Sequence, residues 1–330
     1  MIAKTAPASR IEPSVPDTLR LGIRLVEDRL LEWTRSSIPY LEEGAHRLLR
    51  SGGKRFRPNI CLASYLACEG APFNDEVLDA AALVELIHTA TLVHDDILDD
   101  ADTRRGQPSA HRVYGANRAL LLGDQLFATG TTALPRLPRA AQETILHASR
   151  LLAEGEAMEI ELTRAGSATL EDYFVVISKK TAALVEACSA AGAICAGANP
   201  AMVEALAEFG FNAGVAFQLM DDLLDVEGVT ELTGKPTHWD LSRGVPNAAV
   251  LATLEADLRG KPAPLTLPRG VADEMDRVLR RMAEIGGDER VRRLARMYGE
   301  RALDALRRVP VSAAQRHLAR EVESGLSRIS

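Results

Sequence analysis

Aromatic side chains are scarce in this chain: Phe, Tyr and Trp make up 4% of its 330 residues. That leaves little material for a cavity walled by stacked rings. Basic charge is also short, with 39 Lys and Arg against 46 Asp and Glu and a net charge of −7. Nucleic-acid binding needs a positive field, so nucleic acid is excluded as an expected partner. The alternating Val and Ile of strands is almost absent, which excludes a β-rich fold. The most apolar long stretch read from the sequence, residues 182–198, is built from Ala, Gly and Cys and contains Glu186. It lacks the large aliphatic content of a membrane span, and no transmembrane segment is expected. Met1 to Pro16 has no apolar run of signal-peptide type and reads as a flexible arm over residues 1–16, with a single domain over 17–330.

Cysteines number four, and Cys61/Cys68 and Cys188/Cys195 are each spaced seven apart in helical segments. Two helical turns separate such residues by about 10 Å, too far for a disulfide within a pair. No spacing suits zinc, so reduced thiols and a cytoplasmic location are expected.

The rest is ordinary globular material, 46% hydrophobic and 26% charged. Helical periodicity runs nearly throughout, over 20–33, 40–50, 58–68, 74–99, 120–134, 142–163, 170–196, 201–226, 247–258, 273–285, 288–309 and 312–329. Gly52-Gly53 suits a helix end, Pro58 a first turn, and Asn74 an N-cap. An all-α protein follows. The Pro-rich stretch 260–268 reads as a loop between helices. Ala and Gly inside the helices suit either close packing or an internal tunnel, and packing is the plainer reading.

Two acidic words of one form stand far apart: Asp95-Asp96-Ile97-Leu98-Asp99 and Asp221-Asp222-Leu223-Leu224-Asp225. On a helix the first and fifth residues share a face, about 6 Å apart along the axis. Each word therefore offers paired carboxylates to a hard cation. Stacked acids at a helix C-terminus cost about 0.3–1 kcal/mol each when exposed. One such cluster is commonly a solvated helix end; two of the same form on apolar helices point to metal. Oxygen-only ligands suit Mg²⁺, shared with substrate phosphates. Cations lie near both words: Lys54-Arg55-Phe56-Arg57, Arg104-Arg105, Lys179-Lys180-Thr181 and Lys235. Singly each is a surface charge; together they supply the donors that a diphosphate requires.

The words Gly52–Pro58 (GGKRFRP), Glu85–Asp100 (ELIHTATLVHDDILDD), Arg104–His111, Gly123–Ala128 (GDQLFA), Lys180–Leu184 (KTAAL) and Phe217–Asp225 (FQLMDDLLD), with Gly234-Lys235, follow one order. In that order the chain resembles the trans-isoprenyl diphosphate synthases, the polyprenyl synthetase family. The resemblance implies an all-α bundle around a deep central cavity, usually as a homodimer. It also implies condensation of isopentenyl diphosphate with an allylic diphosphate.

By the same resemblance, Asp95, Asp96 and Asp99 would hold Mg²⁺ from one side, and Asp221, Asp222 and Asp225 from the other. Arg104, Lys180 and Lys235 would meet the departing diphosphate. Lys54, Arg57, His88 and Arg105 would bind isopentenyl diphosphate, and Thr181 and Gln218 would help stabilise the allylic cation. His88 lies seven before Asp95 on one helical face; His94 reads as a structural neighbour of the acids. Ala90 and Thr91 form the expected first wall of the product pocket, with Ile87 and Val84 deeper. Val84 lies about 16 Å of helix above Asp95. Small wall residues and the uninterrupted DDILD spacing lead to an expected product of C20 or longer, as in longer-chain bacterial members.

The pattern departs from the family after Lys235. Val245 stands where many members have a phosphate-binding lysine, and Arg243 is a candidate substitute. Trp239 is unusual there, and Asn247-Ala248-Ala249 replaces the customary tripeptide. Two other readings stand beside elongation. A class I terpene cyclase also uses DDxxD, but it normally has a different second metal motif and an aromatic pocket. A catalytically weak subunit of a heteromeric synthase is compatible with the altered loop.

Overall fold

The computed structural model describes residues 14–53, 55–68, 72–227, 247–258, 263–264 and 280–327. Lys54 and residues 228–246, which include Lys235, Trp239, Arg243 and Val245, lie outside the described residues. Helix α1 (Val15–Trp33) starts earlier than expected: Ser14 caps it, and Val15 and Pro16, assigned above to the arm, are its first turn. Helices α2 (Pro39–Arg50) and α3 (Phe56–Ala67) follow, separated by the glycine break. Helix α4 (Asp75–Leu98) is capped by Asn74, whose Oδ1 accepts from Val77 N at 2.9 Å. It ends with Asp99 at its C-cap.

Helix α4 packs against α1, α3, a later helix α6 (Ala116–Thr131) and α9 (Ala183–Cys195). Surrounded in this way, it is apolar on nearly every side. By length and composition it is the one helix among the described residues able to cross a membrane, and 78% of its apolar window is buried in the bundle. The apolar maximum thus falls on α4 rather than on residues 182–198. Its composition is that of a central core helix.

Between α4 and α6 come a two-residue hairpin, β1 (Thr103–Arg104) with β2 (Gln107–Pro108), and the short α5 (Ala110–Tyr114). Helix α7 (Arg139–Ala165) is long and continuous. The segment expected as one helix over 170–196 is instead three pieces: α8 (Leu170–Ile177), a π-helical turn over Ser178–Ala182, and α9. Gly155 of α7 and Gly214 of α10 (Pro200–Glu227) explain how neighbours accept the wider turn. A Cβ on Gly155 would lie 2.6 Å from Lys180 N, and one on Gly214 2.8 Å from Ala182 Cα. A single added residue barely disturbs apolar periodicity, so the sequence pattern cannot display it.

After α10 the described chain resumes with α11 (Ala248–Leu258) and β4 (Ala263–Pro264), which pairs with β3 (Ser167–Ala168). Residues 280–285 are helical, and α12 (Gly287–Leu306) and α13 (Ala313–Leu326) complete the chain. One core cluster joins α1 to α7 with α9, α10, α12 and α13. A second, around Leu219, Leu223, Leu251 and Val291, closes the end that carries the second acidic word. The small residues on α9 and α10 serve close approach: a Cβ on Gly192 would sit 2.1 Å from the Cys61 carbonyl oxygen, and one on Gly210 2.7 Å from that of Val185.

Candidate active site

Three short segments reach the ends of the long helices, and each bends the backbone where side chains must converge. Gly52 and Gly53 have φ of 91° and 124°, and a Cβ on Gly53 would lie 2.8 Å from the Arg105 guanidinium. Arg55, Asp100 and Arg105 also have positive φ, at 46°, 49° and 52°. Such conformations cost about 1–3 kcal/mol for non-glycine residues and persist only where the surroundings impose them. For Arg55 the imposition is visible. Its buried guanidinium donates to Glu85 at 2.8 Å, to Glu27 at 3.1 Å and to the Leu49 carbonyl. Arg105 donates to the Gly52 carbonyl, tying the hairpin after the first acidic word to the glycine loop.

This places the basic word beside His88. Burial pushes the His88 imidazole well below its ordinary value, and Arg57, Arg105, Arg104 and Arg55 push the same way. His88 is therefore a neutral ring among four guanidinium groups. Burial also lowers Arg57, while Cys188, Glu85 and Asp221 favour its charge. Phe56 stacks on Phe217 of α10 with ring centroids 5.1 Å apart, joining the basic word to the helix of the second acidic word.

On the first acidic word, Asp96 is buried and Oδ1 accepts from Arg104 Nε at 2.9 Å and Nη2 at 2.6 Å. Asp95 is raised to about 7, chiefly by burial. Lys180 and Arg104 oppose that shift, and Glu156 and Asp99 add to it. Lys180 sits in the π-turn, 2.8 Å from Glu156 Oε2 and in contact with Glu159. Burial opposes its charge, but Glu159, Asp95 and Glu156 outweigh this and raise it. Both glutamates belong to α7 and were missed in the sequence. The only signal was a run of four glutamates, Glu154, Glu156, Glu159 and Glu161, and it looks like a solvated helix face.

On the second word, Asp222 is buried and fully engaged in the fold. Oδ1 accepts from Gln218 Nε2 at 3.0 Å and Oδ2 from Ala248 N at 2.8 Å. Thr181 Oγ1 donates to Gln218 Oε1 at 3.0 Å. Asp225 is buried and Asp221 half-buried. Burial raises the Tyr173 phenol well above its ordinary value, and Asp222, Glu159 and Asp221 reinforce the shift. These neighbours close a circuit. Asp95 acts on Lys180, Lys180 on Glu159, and Glu159 and Asp221 on Tyr173. Asp221 acts on Arg57, Arg57 on His88, and Arg104 on both His88 and Asp95. Both acidic words therefore border one shared region, reached also by Arg105, Thr181 and Gln218.

The wall residues divide. Val84, Ile87 and Ala90 are packed in the core, whereas Thr91 is partly exposed and its Oγ1 donates to the His88 carbonyl at 2.8 Å. His94 stays out of the site. Its Nε2 lies 3.2 Å from the Leu120 carbonyl, and a Cβ on Gly123 would fall 2.2 Å from it, so it locks α4 to α6. The departure at 247–249 has a local explanation: Asn247 caps α11, accepting from Ala249 N at 2.9 Å and donating to the Asp222 carbonyl at 3.1 Å. The four thiols are free, three of them buried; burial raises Cys188 and Cys195 to about 12 and Cys68 to about 11.

An all-α bundle with two DDxxD words and a ring of cations around one region defines the isoprenoid-diphosphate class of enzyme. Residues 38–265 match the family model described as polyprenyl synthetase. The chain is 32% identical over 300 residues to the geranylfarnesyl diphosphate synthase of Aeropyrum pernix, covering 88% of this chain and 94% of that one. The crystal structure of a polyprenyl synthase from Caulobacter crescentus, complexed with calcium and isoprenyl diphosphate, superposes with a TM-score of 0.83 at 30% identity, covering 96% of this chain and 99% of that one. The heptaprenyl diphosphate synthase of Staphylococcus aureus gives a TM-score of 0.87 at 26% identity, over 94% and 99% of the two chains. The chain belongs to the polyprenyl synthetase family: it is a prenyl diphosphate synthase, a transferase of prenyl groups.

Proposed function

We propose that the enzyme condenses isopentenyl diphosphate with an allylic diphosphate to give a polyprenyl diphosphate of C20 or longer. The observation that carries this reading is the closed circuit of charges linking both acidic words to the basic word around His88. Carboxylate oxygens suit Mg²⁺, and Asp95 and Asp99, with Asp221, are assigned as the groups that would hold it; burial and acidic neighbours push Asp95 up, to about 7. Asp96 is bonded to Arg104, and Asp222 to Gln218 and Ala248; Asp225 shares a helical face with Asp221 and would support it. When bound, the ions would neutralise the diphosphate and favour loss of the leaving group.

Lys180 and Arg104 would hold the diphosphate as its bond to the allylic carbon breaks, and Lys235, outside the described residues, is assigned the same role. Arg57, Arg105 and His88, with Lys54 outside the described residues, would orient isopentenyl diphosphate. Its double bond attacks the allylic carbon, a carbon–carbon bond forms, and the proton lost passes to the released pyrophosphate. Thr181, whose proton goes to Gln218 Oε1, would turn its lone pairs toward the electron-poor carbon, with Gln218 behind it. Preorganised charge of this kind is the main source of rate when no protein nucleophile is required.

The relatives' names support chain elongation, and Thr91, small and partly exposed on α4, would border the product chain without closing it off. The exposed Leu120, Leu121 and Phe127 on α6 support a homodimer, and four free thiols suit a reducing cytoplasm.

Purified enzyme with Mg²⁺, an allylic diphosphate and labelled isopentenyl diphosphate tests the reading. Label in a lengthened diphosphate is the expected outcome, and Asp95→Ala or Asp221→Ala should lower turnover by roughly a hundredfold or more with the fold retained. Hydrocarbon from the allylic substrate alone would mean cyclisation. Silence relieved only by a second protein would mean a subunit.

A further inference from the structure

We propose that Asn247 and Asp222 are positioning residues that aim Thr181 at the reacting carbon, an inference that rests on the elongation reading above. The chain of hydrogen bonds has a direction at every link. A carboxylate can only accept, so the Gln218 amide must turn its Nε2 toward Asp222 Oδ1, 3.0 Å away. That leaves Gln218 Oε1 facing Thr181, and the Thr181 hydroxyl must donate to it, at 3.0 Å. With its single proton committed, Thr181 has only lone pairs to offer inside the site. A freely rotating hydroxyl would present its positive end part of the time, which a developing allylic cation disfavours.

The far end of the relay fixes Asp222. Its Oδ2 accepts from Ala248 N at 2.8 Å, and Asn247 Nδ2 donates to its backbone carbonyl at 3.1 Å. Asn247 Oδ1 in turn accepts from Ala249 N at 2.9 Å and Val250 N at 3.4 Å, so one side chain caps α11 and grips α10. Asn247, Asp222 and Thr181 are all buried, where such bonds are least diluted by water. The tripeptide that departs from the family pattern is thus connected, through Asp222 and Gln218, to the Thr181 hydroxyl. Asp222 acts here through its two backbone- and amide-bonded oxygens, as an anchor for Gln218.

Two measurements test the relay. In a kinetic double-mutant cycle, Asn247→Ala should lower kcat about tenfold with both KM values changing less than about threefold. In a Thr181→Val background the same substitution should cost less than about twofold, because the group it aims is gone. Asn247→Ser, which keeps a capping oxygen but loses the amide Nδ2 that reaches the Asp222 carbonyl, should recover stability without recovering kcat. Fully additive losses would overturn the proposal. The second measurement needs no activity: amide hydrogen exchange of residues 247–258 in Gln218→Leu, which removes the bond to Asp222 while leaving Asn247 and Asp222 in place. Faster exchange in the first turn of α11 is expected, and unchanged protection would overturn the relay as a connected unit. If the wild-type enzyme incorporates no isopentenyl diphosphate, the elongation reading fails, and the exchange experiment still decides the relay.

Discussion

His88 shows how a single side chain reports on the charge around it. Burial and four guanidinium groups keep its folded pKa well below the ordinary 6.5. The unfolded chain takes up a proton near 6.5 that the folded chain refuses. This contribution to stability is therefore present above about pH 6.5 and is lost as pH falls below it. Asp95 runs the other way: raised by burial from 3.8 to about 7, it holds in the fold a proton that the unfolded carboxyl releases, so its contribution falls as pH rises between those values. Comparing wild type with His88→Gln isolates the first effect. Between pH 7.5 and 5.5 the thermal midpoint of the variant should fall less than that of wild type; equal slopes would place a charged imidazole in the pocket. Thr91 belongs to the same scale. Being partly exposed where Ala90 is packed, it is the residue whose enlargement should shorten the product, so Thr91→Phe should give a shorter chain by product chromatography. An unchanged product length would move the pocket to another face of α4. The acidic words and their nearby cations were legible in the sequence because a repeated pattern on apolar helices is conspicuous. Their counter-charges were not: Glu85, Glu156 and Glu159 meet Arg55 and Lys180 only through folding, across 30, 24 and 21 residues of chain.

At the scale of elements, helix existence and order were readable because the apolar period persists through each segment. The π-turn over Ser178–Ala182 was not, although it carries Lys180 and Thr181 into the site. π-turns within helices often mark functional positions because they re-aim side chains without ending the helix. What makes this one possible is the flat surface of glycines facing it and, one layer deeper, the contact between α9 and α3. There the Gly192 Cα faces the Cys61 carbonyl, and the first carbon of any side chain would overlap it at 2.1 Å. Backbone cannot swing aside as a side-chain tip can. Gly192→Ala should therefore destabilise by about 1–3 kcal/mol, the usual cost of overpacking. Urea unfolding should show a lower midpoint with an unchanged slope. A stability within about 0.5 kcal/mol of wild type would mean that α3 and α9 are free to separate there. The same contact explains why Ala and Gly crowd this part of the sequence. Composition left packing and a tunnel both open, and these positions are spent on packing.

At the scale of the whole molecule, the proposed dimer must cover what one copy leaves uncovered. Helix α6 buries Leu122, which faces Gly44 of α2, and Leu126 in the core, yet its Leu120, Leu121 and Phe127 are 49%, 53% and 39% exposed. Val113 on the adjoining α5 is also exposed, at 46%. Grouped apolar side chains of this size favour burial against a partner, and a second copy offers the same surface to itself. The consequence reaches the chemistry, since α6 packs on α4, and α4 ends in Asp95 and Asp99. Clasping α6 from outside would steady the first acidic word from behind. Leu121→Asp places a carboxylate on the exposed side of α6 without touching the inward face, and an unpaired charge there strongly disfavours burial. In sedimentation at micromolar concentration, wild type should run near twice the 35.7 kDa chain mass and Leu121→Asp near one. Turnover should fall with dissociation and return, in part, at higher protein concentration. A wild-type enzyme sedimenting as a single chain at full activity would refute both the dimer and the support it lends to α4.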